Sequence, residues 1–286
     1  MSTLMSTATP LPPDSSAPPA VTPPTRGPSR VVAILTIALG CTVVLGAIVS
    51  ATFSTVAAAN VRTETQSVDA AGVTELAVAV DAASLRIEFA DVAEATLEVT
   101  SGVGVGAWRF QRDGDELAVA TPQRFGPGWV FGGEVRATLT LPRELQGEAL
   151  DASLDLSAGE LMVAGEFGDL DLEVGAGTLT VGGAARSVIA DVSAGGADIE
   201  LADVTEAEFS VSAGAVDARL TGSAPREVVV DVSAGSLDLL LPDATYDVRS
   251  DVSAGDFENA LRTELGARNV VDVTVSAGTV TINGAR

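Results

Sequence analysis

From Val228 to Leu241 apolar and polar residues alternate. Val228, Val230, Val232 and Ala234 fall on one side, with Asp231 and Ser233 between them. Leu237, Leu239 and Leu241 follow, with Asp238 between them. A period of two is that of extended chain, whose side chains point to opposite faces in turn. The unit therefore reads as two short strands with apolar residues turned inward, joined at an Ala-Gly corner. In this reading the alanine keeps the interior narrow at the corner, and the glycine turns the backbone through positive φ. Segments such as 202–206 and 242–246 close the coil on its far side.

The corner recurs. Leu156-Ser157-Ala158-Gly159, Val174-Gly175-Ala176-Gly177 and Val192-Ser193-Ala194-Gly195 are followed by copies ending at Gly214, Gly235, Gly255 and Gly278. The steps between the seven glycines are 18, 18, 19, 21, 20 and 23 residues. A unit this short cannot bury its apolar face alone, but copies stacked about 4.8 Å apart share a continuous core. The fold class expected is all-β, a parallel β-solenoid of about seven to eight short coils.

A degenerate copy lies upstream, where Val80, Ala82, Leu85, Ile87 and Phe89 fit the inward positions and Ala83 replaces the corner glycine. Between residues 90 and 150, four alternating segments read as an antiparallel β-meander. They are 95–99, 108–112, 116–120 and 134–141, with Asp113-Gly114 as a hairpin turn. The meander is expected to join or cap the solenoid.

Before this all-β region, residues 31–53 form an uncharged run of 23 residues. As a helix it spans about 34 Å, enough to cross a bilayer core. Arg26 and Arg30 precede it, which places the N-terminus in the cytoplasm and the rest outside. Small residues at 56–59 would suit a signal peptidase. The run is longer than an ordinary signal core, however, and a long tail precedes it, so an uncleaved anchor is expected. Residues 1–30, rich in Pro, Ser and Thr, read as a disordered tail. The expected organisation is tail 1–30, transmembrane helix 31–53, linker 54–65, N-terminal β region 66–150 and repeat domain 151–286.

Composition narrows the function. The net charge is −23 and every basic residue is arginine. That excludes nucleic acid as a partner, since binding there rests on neutralising phosphates. Histidine is absent, which removes the commonest general base and metal ligand. Cys41, the one cysteine, lies in the apolar run and has no partner for a disulfide. No cofactor and no catalytic residue is expected.

Stacking turns each repeat position into a column. Asp155, Glu173, Asp191, Ser210, Asp231, Asp251 and Thr274 precede the corner motif. Met162, Thr180, Asp198, Asp217, Asp238, Glu258 and Thr281 follow it. Both columns point outward. Asp191, Asp198, Asp217, Asp231, Asp238 and Asp251 are the candidate Ca²⁺ ligands, because Ca²⁺ favours several carboxylate oxygens. The Gly-rich signature of a calcium roll is absent, and an acidic face that stays solvated accounts for the same pattern. The corner serines read as a hydroxyl ladder. The neutral Thr279, Thr281 and Asn283 read as the mark of a terminal repeat exposed on one side. Phe125, Trp129 and Phe131 lie in a glycine-flanked loop, 125–133, that either contacts a ligand or caps the open end of the stack.

The Val-Ser-Ala-Gly strands, the alternating Ser236–Leu241, the Thr138–Pro142 strand, the upstream hairpin and the single anchor resemble the bacterial putative-adhesin family. The resemblance covers about residues 66–285. It implies a cell-envelope protein with a β-solenoid domain and brings no catalytic residues with it. The function expected is a non-enzymatic, membrane-anchored display domain, adhesin-like or scaffolding, whose partner is an envelope protein or glycan. Two other classes stand beside it, a module reporting envelope stress and a carbohydrate-active β-helix enzyme. The regular spacing of the acids, with no distinct cluster, disfavours the enzyme.

Overall fold

The computed structural model describes residues 62–101, 107–122, 135–147 and 150–285. The tail, the expected transmembrane helix at 31–53 and the aromatic loop around Phe125, Trp129 and Phe131 lie outside them. Among the described residues no helix is long and apolar enough to cross a membrane. The described residues fall in one compact unit. Among the described residues it is all-β, with twenty strands hydrogen-bonded into one mixed sheet.

The strands make two rows joined at the corner motifs. Row one contains Glu75–Val80, Leu150–Leu156, Glu206–Val211, Glu227–Val232, Asn269–Val275 and Thr245–Val252. Row two contains Ala83–Ala90, Gly196–Ala202, Ala215–Thr221, Ser236–Leu241, Thr279–Gly284 and Asp256–Asn259. Two longer strands, Gly159–Val174 and Thr178–Val192, run through row two and on into row one. Every pairing among these strands is parallel, and the register runs without a break except for one shift between Leu150 and Ala152. The period-two pattern thus places the inward positions of a row on one face. Val228, Val230, Val232, Leu237, Leu239 and Leu241 are all buried. Larger residues, including Phe167, Phe209 and Tyr246, fill the same core.

The N-terminal region departs from the expected meander. The hairpin of Arg109–Asp113 and Glu116–Ala120 is present, with Gly114 at φ 66°. Its second strand, however, runs parallel to Glu75–Val80 and so extends row one. Arg136–Pro142 likewise runs parallel to Ala83–Ala90 and extends row two. These two strands form a further degenerate repeat. Antiparallel strands Ala95–Ser101 and Arg62–Val68 then follow at the end of row two.

Order in space differs from order in sequence at both ends. Glu75–Val80 lies between Glu116–Ala120 and Leu150–Leu156, so the first repeat is tucked inside the second. At the other end Asn269–Val275 lies between Glu227–Val232 and Thr245–Val252. Thr279–Gly284 is likewise enclosed by Ser236–Leu241 and Asp256–Asn259. The expectation that the last repeat is exposed on one side is therefore corrected. The repeat at 245–259 ends the stack, and there the inward positions include Ser250 and Asn259, with Val252 40% exposed.

The corners also differ from expectation. Ala176, Ala194, Ala213, Ala234, Ala254 and Ala277 are exposed, and inward packing ends one position pair earlier, at residues such as Val232. Of the corner glycines Gly159, Gly177, Gly195, Gly214, Gly235, Gly255 and Gly278, only Gly159 has positive φ. Glycine is needed there because the repeats approach closely. A Cβ on Gly214 would lie 2.5 Å from the Gly195 carbonyl oxygen and 2.6 Å from Val192 Cγ1. The same collision recurs from glycine to glycine along the column, which ends on Ala83 beside Gly159. Backbone hydrogen bonds continue through the corners, as from Ser233 N to Val211 O and from Ser236 N to Gly214 O. This is what draws the repeats so close.

Candidate functional site

Outward positions form two continuous columns. In row one the sequence across the strands is Asp155, Glu173, Asp191, Ser210, Asp231, Thr274 and Asp251. In row two it is Arg86, Met162, Thr180, Asp198, Asp217, Asp238, Thr281 and Glu258. The structure thus brings Asp198, Asp217 and Asp238 side by side. It separates Asp191 from Asp231 by Ser210, and Asp231 from Asp251 by Thr274. Parallel register keeps the carboxylates in line, one per strand. Among the described residues no three acids converge on a point that would hold a metal ion.

The corner serines form no hydroxyl ladder. Among the described residues Ser157 alone of them makes a side-chain hydrogen bond, to Asp81 Oδ1 at 3.3 Å. Its fellows stand exposed on the corner edge.

Charge pairing concentrates on the far side of the repeats, where row two passes back to row one. Arg186 Nε donates to Asp169 Oδ1 at 3.1 Å, and Ser187 Oγ donates to the same oxygen at 2.6 Å. These donors hold the Asp169 carboxyl below the usual value, the Arg186 bond contributing most. Asp203 is lowered by the backbone N–H and then the hydroxyl of Ser223, both donating at 3.0 Å. Tyr246 is fully buried and donates its hydroxyl to the Pro242 carbonyl at 2.9 Å. Burial, with Asp243 adding to it, pushes the Tyr246 phenol up to about 12. These groups are exposed ion pairs and buried turn anchors, and they serve the fold.

A concavity lies on the outer face of row two. It has a volume of about 590 Å³. Its floor is made by Ala164 and Gly182, paired across two adjacent strands. Arg86 and Glu88 form one wall, beside Phe89, whose ring turns to the core face, and Asp198, Glu200, Asp217 and Arg219 form the other. Gln146 reaches it from the short 3-10 helix Arg143–Gly147. A depression forms here because two successive outward positions are small, while the same position carries Glu200 and then Arg219 on the next strands. The Phe89 ring lies over Gly165, where a Cβ would meet its Cε2 at 2.6 Å. Arg86 Nη2 lies 3.1 Å from Met162 Sδ, a weak acceptor, and among the described residues this is the one side-chain bond it makes. Arg219 faces Glu200 at 3.8 Å.

Sequence reasoning found four of the groove-lining residues, Met162, Thr180, Asp198 and Asp217, as members of a column, but not the groove. The signal was present. Ala164 and Gly182 interrupt an outward position that is charged before and after them.

No family model matches the chain, and no curated protein matches it. Solved structures do. A putative adhesin from Parabacteroides merdae is 15% identical over 78% of this chain and 96% of its own, with a TM-score of 0.47. A putative adhesin from Parabacteroides distasonis is 14% identical over 79% of this chain and 97% of its own, with a TM-score of 0.46. A putative lipid binding protein from the same species is 16% identical over 77% and 96%, with a TM-score of 0.40.

Proposed function

We propose that this chain is a non-enzymatic cell-envelope protein that presents a parallel β-solenoid as an adhesin-like recognition surface. Residues 31–53 anchor it, with the N-terminal tail in the cytoplasm and the β unit outside. The observation that carries this reading is the groove on row two, a shaped and exposed site on a framework of in-register strands. Strand-borne sites hold their geometry well, because each side chain is fixed by pairing on both sides. The fixed rows suit display and recognition, and a partner in the envelope, glycan or protein, fits that architecture.

Two measurements test the proposal. In fractionated cells the full chain stays with membranes after a high-salt wash, and deletion of 31–53 releases it. Beads coated with the full chain adhere to isolated envelopes from the source organism above the level of beads coated with an unrelated acidic protein. Release of the intact chain into the medium, or adhesion no better than the control, would overturn it.

A further inference from the structure

The groove has a chemistry of its own. It runs across the strands, so successive repeats present one outward position each about 4.8 Å apart. From Glu88 to Arg219 this amounts to four strand spacings, about 19 Å. The Ala164–Gly182 floor lies flat and offers no side chain that would hold a ligand away from the backbone. Around it stand groups of both kinds, the guanidinium donors Arg86 and Arg219 and the carboxylate acceptors Asp198 and Glu200.

We propose that this groove binds a linear, neutral oligosaccharide laid across the strands, about one sugar per repeat. A sugar ring suits the site because each hydroxyl both donates and accepts. It is served by guanidinium donors at the two ends and by carboxylate acceptors beside the floor. Its C–H face packs on the small floor of Ala164 and Gly182. A polyanionic glycan is opposed by the chain's net charge of −23. A lipid tail is opposed by the charged walls. The spacing of the repeats is close to the rise of one unit in an extended polysaccharide, so a single geometry serves consecutive sugars. The inference deepens the adhesin-like reading and rests on it.

The test uses the full-length chain and a defined panel of cellohexaose, chitohexaose, maltohexaose and a heparin hexasaccharide, read by titration calorimetry. At least one neutral hexasaccharide is expected to bind with a Kd below about 1 mM. The variant Gly182→Gln fills the floor. The space above Gly182 is open, its nearest atoms to an added Cβ being Ala164 Cβ at 3.9 Å and Glu200 O at 4.0 Å, so the fold is retained. Affinity in Gly182→Gln is expected to fall at least about tenfold while the melting temperature stays put. Arg86→Gln, exposed and bonded to one thioether, gives the same direction. Binding of heparin alone, binding of no panel member, or affinity unchanged in Gly182→Gln would overturn the inference. If Gly182→Gln beads still adhere to envelopes as wild type does, recognition stands and this groove is not its site. If wild-type beads do not adhere and no sugar binds, both readings fall.

Discussion

Asp238 and Glu258 hold equivalent positions in successive repeats of the sequence, yet Thr281 lies between them in the structure. In row one Thr274 separates Asp231 from Asp251 in the same way. The neutral residues of the 269–284 repeat are spacers in two lines of like charge. Their neutrality follows from where that repeat sits, in the interior of the stack.

Replacing Thr281 with Asp restores a run of adjacent carboxylates. Like charges directly opposite each other on exposed strands cost a few tenths of a kcal/mol per pair, so about 0.5–1 kcal/mol is expected in all. Urea unfolding in low salt should show the loss. In 1 M NaCl, where screening acts over about 3 Å, most of it should disappear. A loss that persists in high salt would point to packing instead.

Ending the chain after Ala267 removes a repeat that lies between two others. Both rows are cut, and strands Thr245–Val252 and Asp256–Asn259 lose the partners they pair with. Hydrogen exchange is expected to show loss of protection across 245–259 as well as along the newly bared edges of 227–241. Stacking in sequence order would instead leave 245–259 protected.

Gly182 and Gly183 are neighbours with opposite demands. Gly182→Ala meets ordinary contacts and should leave stability unchanged or raise it by up to about 1 kcal/mol. Gly183 has a φ of 125°, and its added Cβ would overlap the Gly165 carbonyl, with Gly165 C only 2.8 Å away. Gly183→Ala is expected to cost about 3 kcal/mol. Chemical denaturation of the two variants side by side measures the difference, and equal midpoints would refute the geometry.

Tyr246 is the one tyrosine of the chain, so its ionisation can be followed by tyrosinate absorbance without overlap. The folded protein should titrate near 12, against 10.0 for an unperturbed phenol. A raised folded value means that the contribution to stability is full below about pH 10 and is lost as pH rises through about 12. A midpoint near 10 in the folded protein would show that the phenol is not buried.

Much of this architecture can be read from the residues. Alternation in Val228–Leu241 locates the strands, the Val-Ser-Ala-Gly copies locate the corners, and Asp113-Gly114 locates the hairpin. What cannot be read follows from the sameness of the repeats. Val232, Val252 and Val275 end near-identical motifs, and a local pattern alone does not say which will be neighbours. The corner alanine looks inward by parity, but the turn breaks the alternation after Val232 and leaves Ala234 outside. The glycine beside it suggests a special backbone angle, whereas its cause is the carbonyl of the next repeat. The groove was hidden because it arises from small residues on two strands eighteen positions apart, Ala164 and Gly182. They become a floor only once register is fixed.

The tucked-in repeat at 269–284 has a consequence for how such a chain lengthens. A duplicated unit placed after Ala285 would find both strands of its template already flanked, with no vacant edge to join. A copy of 187–205 inserted in the middle would meet the same corner, the same glycine contact and the same inward residues above and below. Gain or loss of repeats by recombination is therefore tolerated in the interior and rejected beyond the last copy. Homologues of different length should differ between residues 165 and 241, with both ends kept.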